Sequence, residues 1–335
     1  MNATRGSWVF LALLAFEGAS AAEPSAANER FAITAQRVLD IERGRYLEGT
    51  VVLVAGERIE KVVPRKELDP ALRVVDLGEV TLLPGLIDAH THLLADTGDS
   101  YSAMLLTKSQ AYRALEGAAH AKRTLHAGFT TVRDVENEGA QYADVALRDA
   151  IARGLVEGPR MRVATRGIAA VGQYMPFDIS PDHAGFPRGA QLVSGVDEVR
   201  RAAREQLGNG ADHLKVYADW DHPTLTLDEI RVAVEEAKKA GKRVVVHATT
   251  PEAIRNAVEA GAVSIEHGMF ADRATLELLA KKRVWLVPTL TALADAIEAE
   301  ESPEARASLS VLLKAMKANL ALAHELGVPL AMGSD

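Results

Sequence analysis

Residues 84–93 read PGLIDAHTHL. Pro84-Gly85 breaks the preceding run, and Leu86, Ile87 and Ala89 then start a short apolar strand that closes on His90-Thr91-His92. Successive side chains on a strand point to opposite faces, so His90 and His92 share one. Downstream the same rhythm recurs: a short Val/Ile-rich run, then a helical stretch. The runs are 86–92, 129–135, 160–166, 212–218, 243–249, 263–269, 284–290 and 329–335, and such runs suit buried parallel strands. Between them, Thr226 with Glu229 makes a capping box ahead of an apolar face of Leu227, Ile230, Val234 and Ala237. Thr250-Pro251 is a second helix start, and Gly128, Gly241, Gly261 and Gly327 each stand where a helix ends before a strand. This many β/α steps over roughly 250 residues predicts an α/β chain folded as a (β/α)8 TIM barrel over residues 82–335. A doubly wound nucleotide-binding sheet would carry a glycine-rich phosphate loop, and no G-x-G-x-x-G or P-loop is present.

Upstream, FAITAQRVLD, GTVVLVAGERIEKVV and RVVDLGEVTLL alternate Val, Ile and Leu with glycine-containing turns. They predict a small β-sandwich-like domain over residues 22–81. Residues 1–21 have the form of a signal peptide: Arg5, the apolar run Trp8–Phe16, and Ala19-Ser20-Ala21 as a cleavage site. The expectation is export to a periplasm or the outside, with no membrane span after signal removal.

The chain has 335 residues, 48% apolar and 25% charged, a net charge of −8, ten histidines and no cysteine. That composition excludes disorder, collagen and coiled coil. The missing cysteine excludes disulfides, thiolate metal sites and a cysteine nucleophile, so any metal must sit on His, Asp, Glu or a modified Lys. The acidic balance and the lack of a basic stripe argue against nucleic acid as a partner.

Barrel chemistry sits at the carboxyl ends of the strands. Those ends carry His90, His92, Lys215, His247, His267 and Asp335. A single strand histidine is more often structural than a ligand. Four imidazoles, an amine and a carboxylate converging on one mouth instead suit divalent metal, and their number suggests two ions with open positions. An ammonium repels cations, but Lys215 buried beside them would lose its proton. The neutral amine can then take up CO2 as a carbamate, which offers two oxygens to two metals. Against that stands a solvated Lys215 paired with Asp212 or Asp219.

Taken together, PGLIDAHTHL, the β-unit, Lys215 in HLKVYAD, His247 in VVVHATTPE, His267 in SIEHG and Asp335 in MGSD resemble the amidohydrolase superfamily, in its imidazolonepropionase-like and prolidase-like branch. The resemblance spans residues 30–335. It implies two divalent ions, zinc first, with His90, His92, the Lys215 carbamate and Asp335 on one and His247 and His267 on the other. It implies attack by a metal-bridging hydroxide on an amide or peptide carbonyl, with Asp335 as the catalytic proton carrier. The expected substrate is a small amide, a dipeptide or an N-acyl amino acid. Tyr217 shares a strand face with Lys215 and is expected to bind substrate, as are Tyr174 and Arg188 in the long segment 167–195, where Arg188 would hold a carboxylate. Two other readings compete: a cyclic-amide hydrolase, imidazolonepropionase- or hydantoinase-like, and a truncated, non-catalytic exported protein. Family members continue beyond the position of Asp335, so the chain is expected to be incomplete, lacking the last barrel helix and part of the small domain. A homo-oligomer is compatible with all of these readings.

Overall fold

The computed structural model describes residues 29–95, 98, 100–173, 180, 182–183, 185–220 and 222–335. The expected signal segment 1–21 and Tyr174 lie outside them. The chain divides into two compact units at Pro84/Gly85.

The first unit is built of strands: β1 (Arg30–Thr34), β2 (Arg37–Asp40), β3 (Arg45–Glu48), β4 (Thr50–Ala55), β5 (Arg58–Pro64), β6 (Arg73–Asp76) and β7 (Thr81–Leu82). They form two sheets, ordered β5-β4-β1-β6 and β3-β2-β7. The β4–β5 hairpin turns at Gly56, whose φ of +57° costs glycine little. Ala32, Thr34, Ala35, Val38, Val51 and Val52 are the buried side chains of this unit among the described residues.

The second unit is α/β with parallel strands, a TIM-barrel-like arrangement. One sheet holds β8 (Leu86–Thr91), β9 (Phe129–Asp134) and β10 (Arg160–Val163), in the order β10-β9-β8. The other holds β11 (Ile168–Ala170), β12 (Gln191–Val193), β13 (Leu214–Tyr217), β14 (Val244–Ala248), β15 (Ser264–His267) and β16 (Trp285–Val287), in the order β12-β11-β13-β14-β15-β16. Backbone bonds bring the two together. Asp212 N–H donates to Val163 O at 2.7 Å, beside β10 and β13. On the far side, segment 329–335 lies between β16 and β8. Leu286 N–H donates to Pro329 O, Ala331 N–H to Leu286 O, Ala89 N–H to Met332 O, and Asp335 N–H to His90 O.

Two sequence expectations need correction. Segment 329–335 is not a full strand: its one bridge is Leu330 to Leu286. Pro329 has no N–H to give and Asp335 takes φ +72°, so the ladder cannot run on. The segment 167–195, read as one long loop, contains β11 and β12, paired in parallel. Three-residue strands are too short to show a period.

The helices are α1 (Tyr101–Thr107), α2 (Gln110–His126), α3 (Ala143–Ala152), α4 (Val196–Gly208), α5 (Leu227–Lys239), α6 (Pro251–Ala260), α7 (Arg273–Lys282), α8 (Leu290–Ala299) and α9 (Pro303–Glu325). The Thr226/Glu229 capping box starts α5, and Thr250 Oγ1 caps α6 by accepting from Ala253 N–H. Gly261 closes α6 in the left-handed region. Ile230, Ile254, Leu276 and Leu279, one face each of α5, α6 and α7, join Leu214, Val216, Val244, Val246 and Ile265 in the largest buried cluster. Burial of each such side chain is worth about 1.5–3 kcal/mol. This packing holds the strand ends in fixed positions. Among the described residues no helix is long and apolar enough to cross a membrane.

Gly333 sits where the last segment approaches β8 and β16. A Cβ there would stand 2.6 Å from His90 Cβ and 2.6 Å from Val287 Cγ1. Gly333→Ala is therefore expected to lower stability by about 1–3 kcal/mol, as overpacking does. Chemical denaturation of the two proteins measures it.

Candidate metal centre

The strand ends bring the four imidazoles into contact. Ring centroids of His90 and His92 are 5.3 Å apart, those of His90 and His267 5.0 Å, and those of His247 and His267 4.6 Å. His90 and His92 reach the site by strand alternation, as their spacing predicts. His267 reaches it differently: its φ of +68° breaks the alternation, so that both Glu266 and His267 contact His90. Asp335 reaches between the first two imidazoles. Its Oδ1 lies 3.2 Å from His90 Nε2 and 3.0 Å from His92 Nε2, and its Oδ2 lies 3.6 Å from His267 Nδ1.

Each ring is held by a different partner. His90 Nδ1 meets Glu266 Oε2 at 2.8 Å. His92 Nδ1 meets the Glu136 carbonyl at 3.0 Å and the Glu138 carboxylate at 3.2 Å. His267 Nδ1 meets Thr289 Oγ1 at 2.7 Å. His247 stacks on Trp220 at 5.3 Å, with Asp219 3.7 Å from its Nε2.

Lys215 is 1% exposed, so the solvated-loop reading fails. The ion-pair reading fails too. Asp212 pairs with Arg148, Arg162 and Lys242. Asp219 accepts from Thr249 and Thr250 at the start of α6. Lys215 Nζ instead lies 5.0 Å from the Tyr217 ring centroid. Burial lowers its pKa, against the pull of Glu266, Asp335, Glu136 and Glu138. Burial likewise lowers His247 well below its ordinary value and His267 to about 3. His92 goes the other way: burial opposes protonation, but Glu138 and Asp335 outweigh it and push the pKa up to about 10. The imidazoles around Asp335 hold its carboxyl well below the usual range despite burial.

These residues fit a cation. One donor atom from each of His90, His92 and Asp335 falls within 4.8 Å of the others. His90 Nε2 is buried without a hydrogen-bond partner among the described residues, its approach to Asp335 being too poorly aligned to count as one. A buried polar atom left in that state is costly unless something else binds it.

Residues 81–335 match the amidohydrolase family. The chain belongs to that family. It is 28% identical to an ochratoxinase of Aspergillus niger over 288 residues, covering 76% of this chain and 58% of that protein. It is 25% identical to an imidazolonepropionase of Kosmotoga olearia over 241 residues, covering 64% of this chain and 56% of that one. The chain thus spans less than two thirds of either relative. Among solved structures, it resembles a prolidase complexed with N-methylphosphonate-L-proline, with TM-score 0.78 and 32% identity over 91% of this chain and 78% of that one. It also resembles a Xaa-Pro dipeptidase with bound methionine, with TM-score 0.79 and 28% identity over 92% and 79%.

In this family member the expected substrate residues fare unevenly. Tyr217 is beside the imidazoles, its ring 5.1 Å from His247, but its hydroxyl donates to Glu136. Arg188 is half-buried ahead of β12, and no hydrogen bond or ion pair joins its side chain to the cluster among the described residues. Sequence reasoning passed over Glu136, Glu138, Glu266 and Arg113. Glu266 stands inside the apolar run VSIEHGM, and a carboxylate in a buried strand was a usable signal. Arg113, 2% exposed on α2, gives its guanidinium to the carbonyls of Leu94, Asn137 and Glu138, fastening the loops after β8 and β9. Nothing local in the sequence marks it.

Asp134, fully buried at the end of β9, accepts from Leu93 N–H through Oδ2, while its Oδ1 has no partner among the described residues. Burial pushes its pKa up to about 8 from an ordinary 3.8. The folded state therefore keeps a proton that the unfolded chain releases, and stability is lost as pH rises through that window. Asp134→Asn carries no charge at either end. In metal-free protein its stability relative to the parent is expected to rise between about pH 4 and pH 8. Urea denaturation across that range checks it.

Proposed function

We propose that the chain is a metal-dependent hydrolase that cleaves an amide C–N bond, of a dipeptide or an N-acyl amino acid. The supporting observation is the donor set: His90 Nε2 without a hydrogen-bond partner among the described residues, His92 and Asp335 within 4.8 Å of it, and the His247/His267 pair adjoining. In this reading β8, β9, β10, β13, β14, β15, β16 and segment 329–335 form one closed eight-stranded barrel, with β11 and β12 added beside it and the site at its mouth. His90, His92 and Asp335 would hold one ion and His247 and His267 a second, and Lys215, as its carbamate, would supply oxygen ligands. When bound, divalent ions, zinc first, lower the pKa of water toward neutrality and polarise a carbonyl.

The protein side chains do the rest. Buried Lys215 favours the neutral amine, the form that adds CO2. Asp335 remains ionised, so it can take the proton of the attacking water and return it to the leaving nitrogen. The Tyr217 ring walls the site, held by Glu136. Arg188, in segment 167–195, would hold a substrate carboxylate. The similarity to a prolidase and a Xaa-Pro dipeptidase favours a dipeptide. The similarity to imidazolonepropionase keeps a cyclic amide as the second reading. Residues 1–21 would direct export.

Zinc-loaded protein is expected to hydrolyse members of a dipeptide and N-acyl amino acid panel. At saturating zinc, Asp335→Asn is expected to lose about 10²- to 10⁴-fold in kcat, the usual worth of a positioned proton carrier. An Asp335→Asn protein as fast as the parent would contradict the assignment.

A further inference from the structure

We propose that Glu266, held by Arg133 and Ser264, keeps His90 Nδ1 protonated and so leaves Nε2, which faces Asp335, as the ring nitrogen offered to the metal position. The part that concerns metal rests on the function proposed above; the part that concerns the tautomer does not.

Glu266 is fully buried on β15, and each of its oxygens has a defined task. Oε1 accepts from Arg133 at 2.8 Å and from Ser264 Oγ at 2.5 Å. Oε2 faces His90 Nδ1 at 2.8 Å. Arg133 is a permanent cation, so the group opposite His90 is a carboxylate, an acceptor only. Nδ1 must then carry a proton.

Arg133 is fixed in turn. Its Nε donates to Ala89 O at 2.6 Å, in the residue before His90, and a terminal nitrogen donates to Ser264 Oγ at 2.9 Å. Ser264 accepts from Arg133 and donates to Glu266, so it relays the same polarity. The network therefore ties β9 to the backbone of β8 and to two side chains of β15, with His90 as its terminus.

His90 differs in this from its neighbour His267. The partner of His267 is the Thr289 hydroxyl, which can donate or accept and so does not choose a tautomer. Only a group that cannot donate makes the choice without help. Substitution by Gln keeps size and shape but supplies an N–H beside Nδ1, so the imidazole is free to invert its tautomer and lose the Nε2 lone pair. Partners of this kind commonly carry about 10- to 100-fold in metal affinity.

The test is a long-range 1H–15N spectrum of metal-depleted protein labelled in histidine, together with zinc affinity by chelator competition. The proposal expects His90 Nδ1 to be protonated in the parent, in the neutral ring and in the ring that also carries a proton toward Asp335. In Glu266→Gln it expects the Nε2–H form to appear at His90 alone, with zinc affinity down about 10- to 100-fold. A His90 with a bare, unprotonated Nδ1 in the parent overturns it, with no variant needed. So does a folded Glu266→Gln protein with unchanged tautomer and affinity. If the parent binds no zinc, the metal reading falls, while the parent spectrum still decides what Glu266 does.

Discussion

One carboxylate oxygen, Asp335 Oδ1, lies 3.2 Å from His90 Nε2 and 3.0 Å from His92 Nε2. Bringing it there requires the last segment of the chain to lie against β8. Asp335 N–H binds the His90 carbonyl at 2.8 Å, and Ser334 N–H binds Asp88 Oδ1, which also accepts from His90 N–H. Gly333 supplies the clearance, since any side chain there would meet His90 and Val287. A residue 245 positions away from His90 in sequence is thus placed by backbone bonds rather than by its own side chain. The seam between the first and last segments and the candidate metal centre are one structure.

Gathering Lys215, Glu266, Glu136 and Asp134 out of water is expensive unless each finds a partner or gives up its charge. The protein uses both routes. Glu266 keeps its charge because Arg133 and His90 answer it. Asp134 and Glu136 are pushed up by burial, to about 8 and about 7, and so shed charge near neutrality. Lys215 is pushed down for the same reason. The backbone bears a cost as well: Glu138, Thr165, His267, Thr289 and Asp335 all take positive φ, and each lies at or just beyond the carboxyl end of a strand or segment. Such conformations persist where surrounding structure enforces them, commonly at functional sites.

The sequence made the scaffold legible because its signals are local. Val-rich runs, the Thr226 capping box and glycines after helices are read within a few residues, and the parallel strands and helices follow them. The imidazoles were equally legible, since His90-Thr91-His92, His247 and His267 stand at strand ends where polar residues are conspicuous. The supporting groups were not. Glu266 meets His90 across 176 positions, and Arg113 reaches the loops after two different strands. Their partners are set by tertiary packing, which no local pattern encodes. Tyr217 was legible as a neighbour of the site, but its bond to Glu136 depended on β9 and β13 sharing one interior.

The central claim is that these side chains form a two-metal centre. Crystals of zinc-loaded protein, measured on both sides of the zinc absorption edge, test it most directly. The account predicts two anomalous peaks per chain, one on His90 Nε2, His92 and Asp335 and one on His247 and His267, with added density on Lys215 Nζ between them. Zinc bound elsewhere, or no peak at His90, His92 and Asp335, would contradict it.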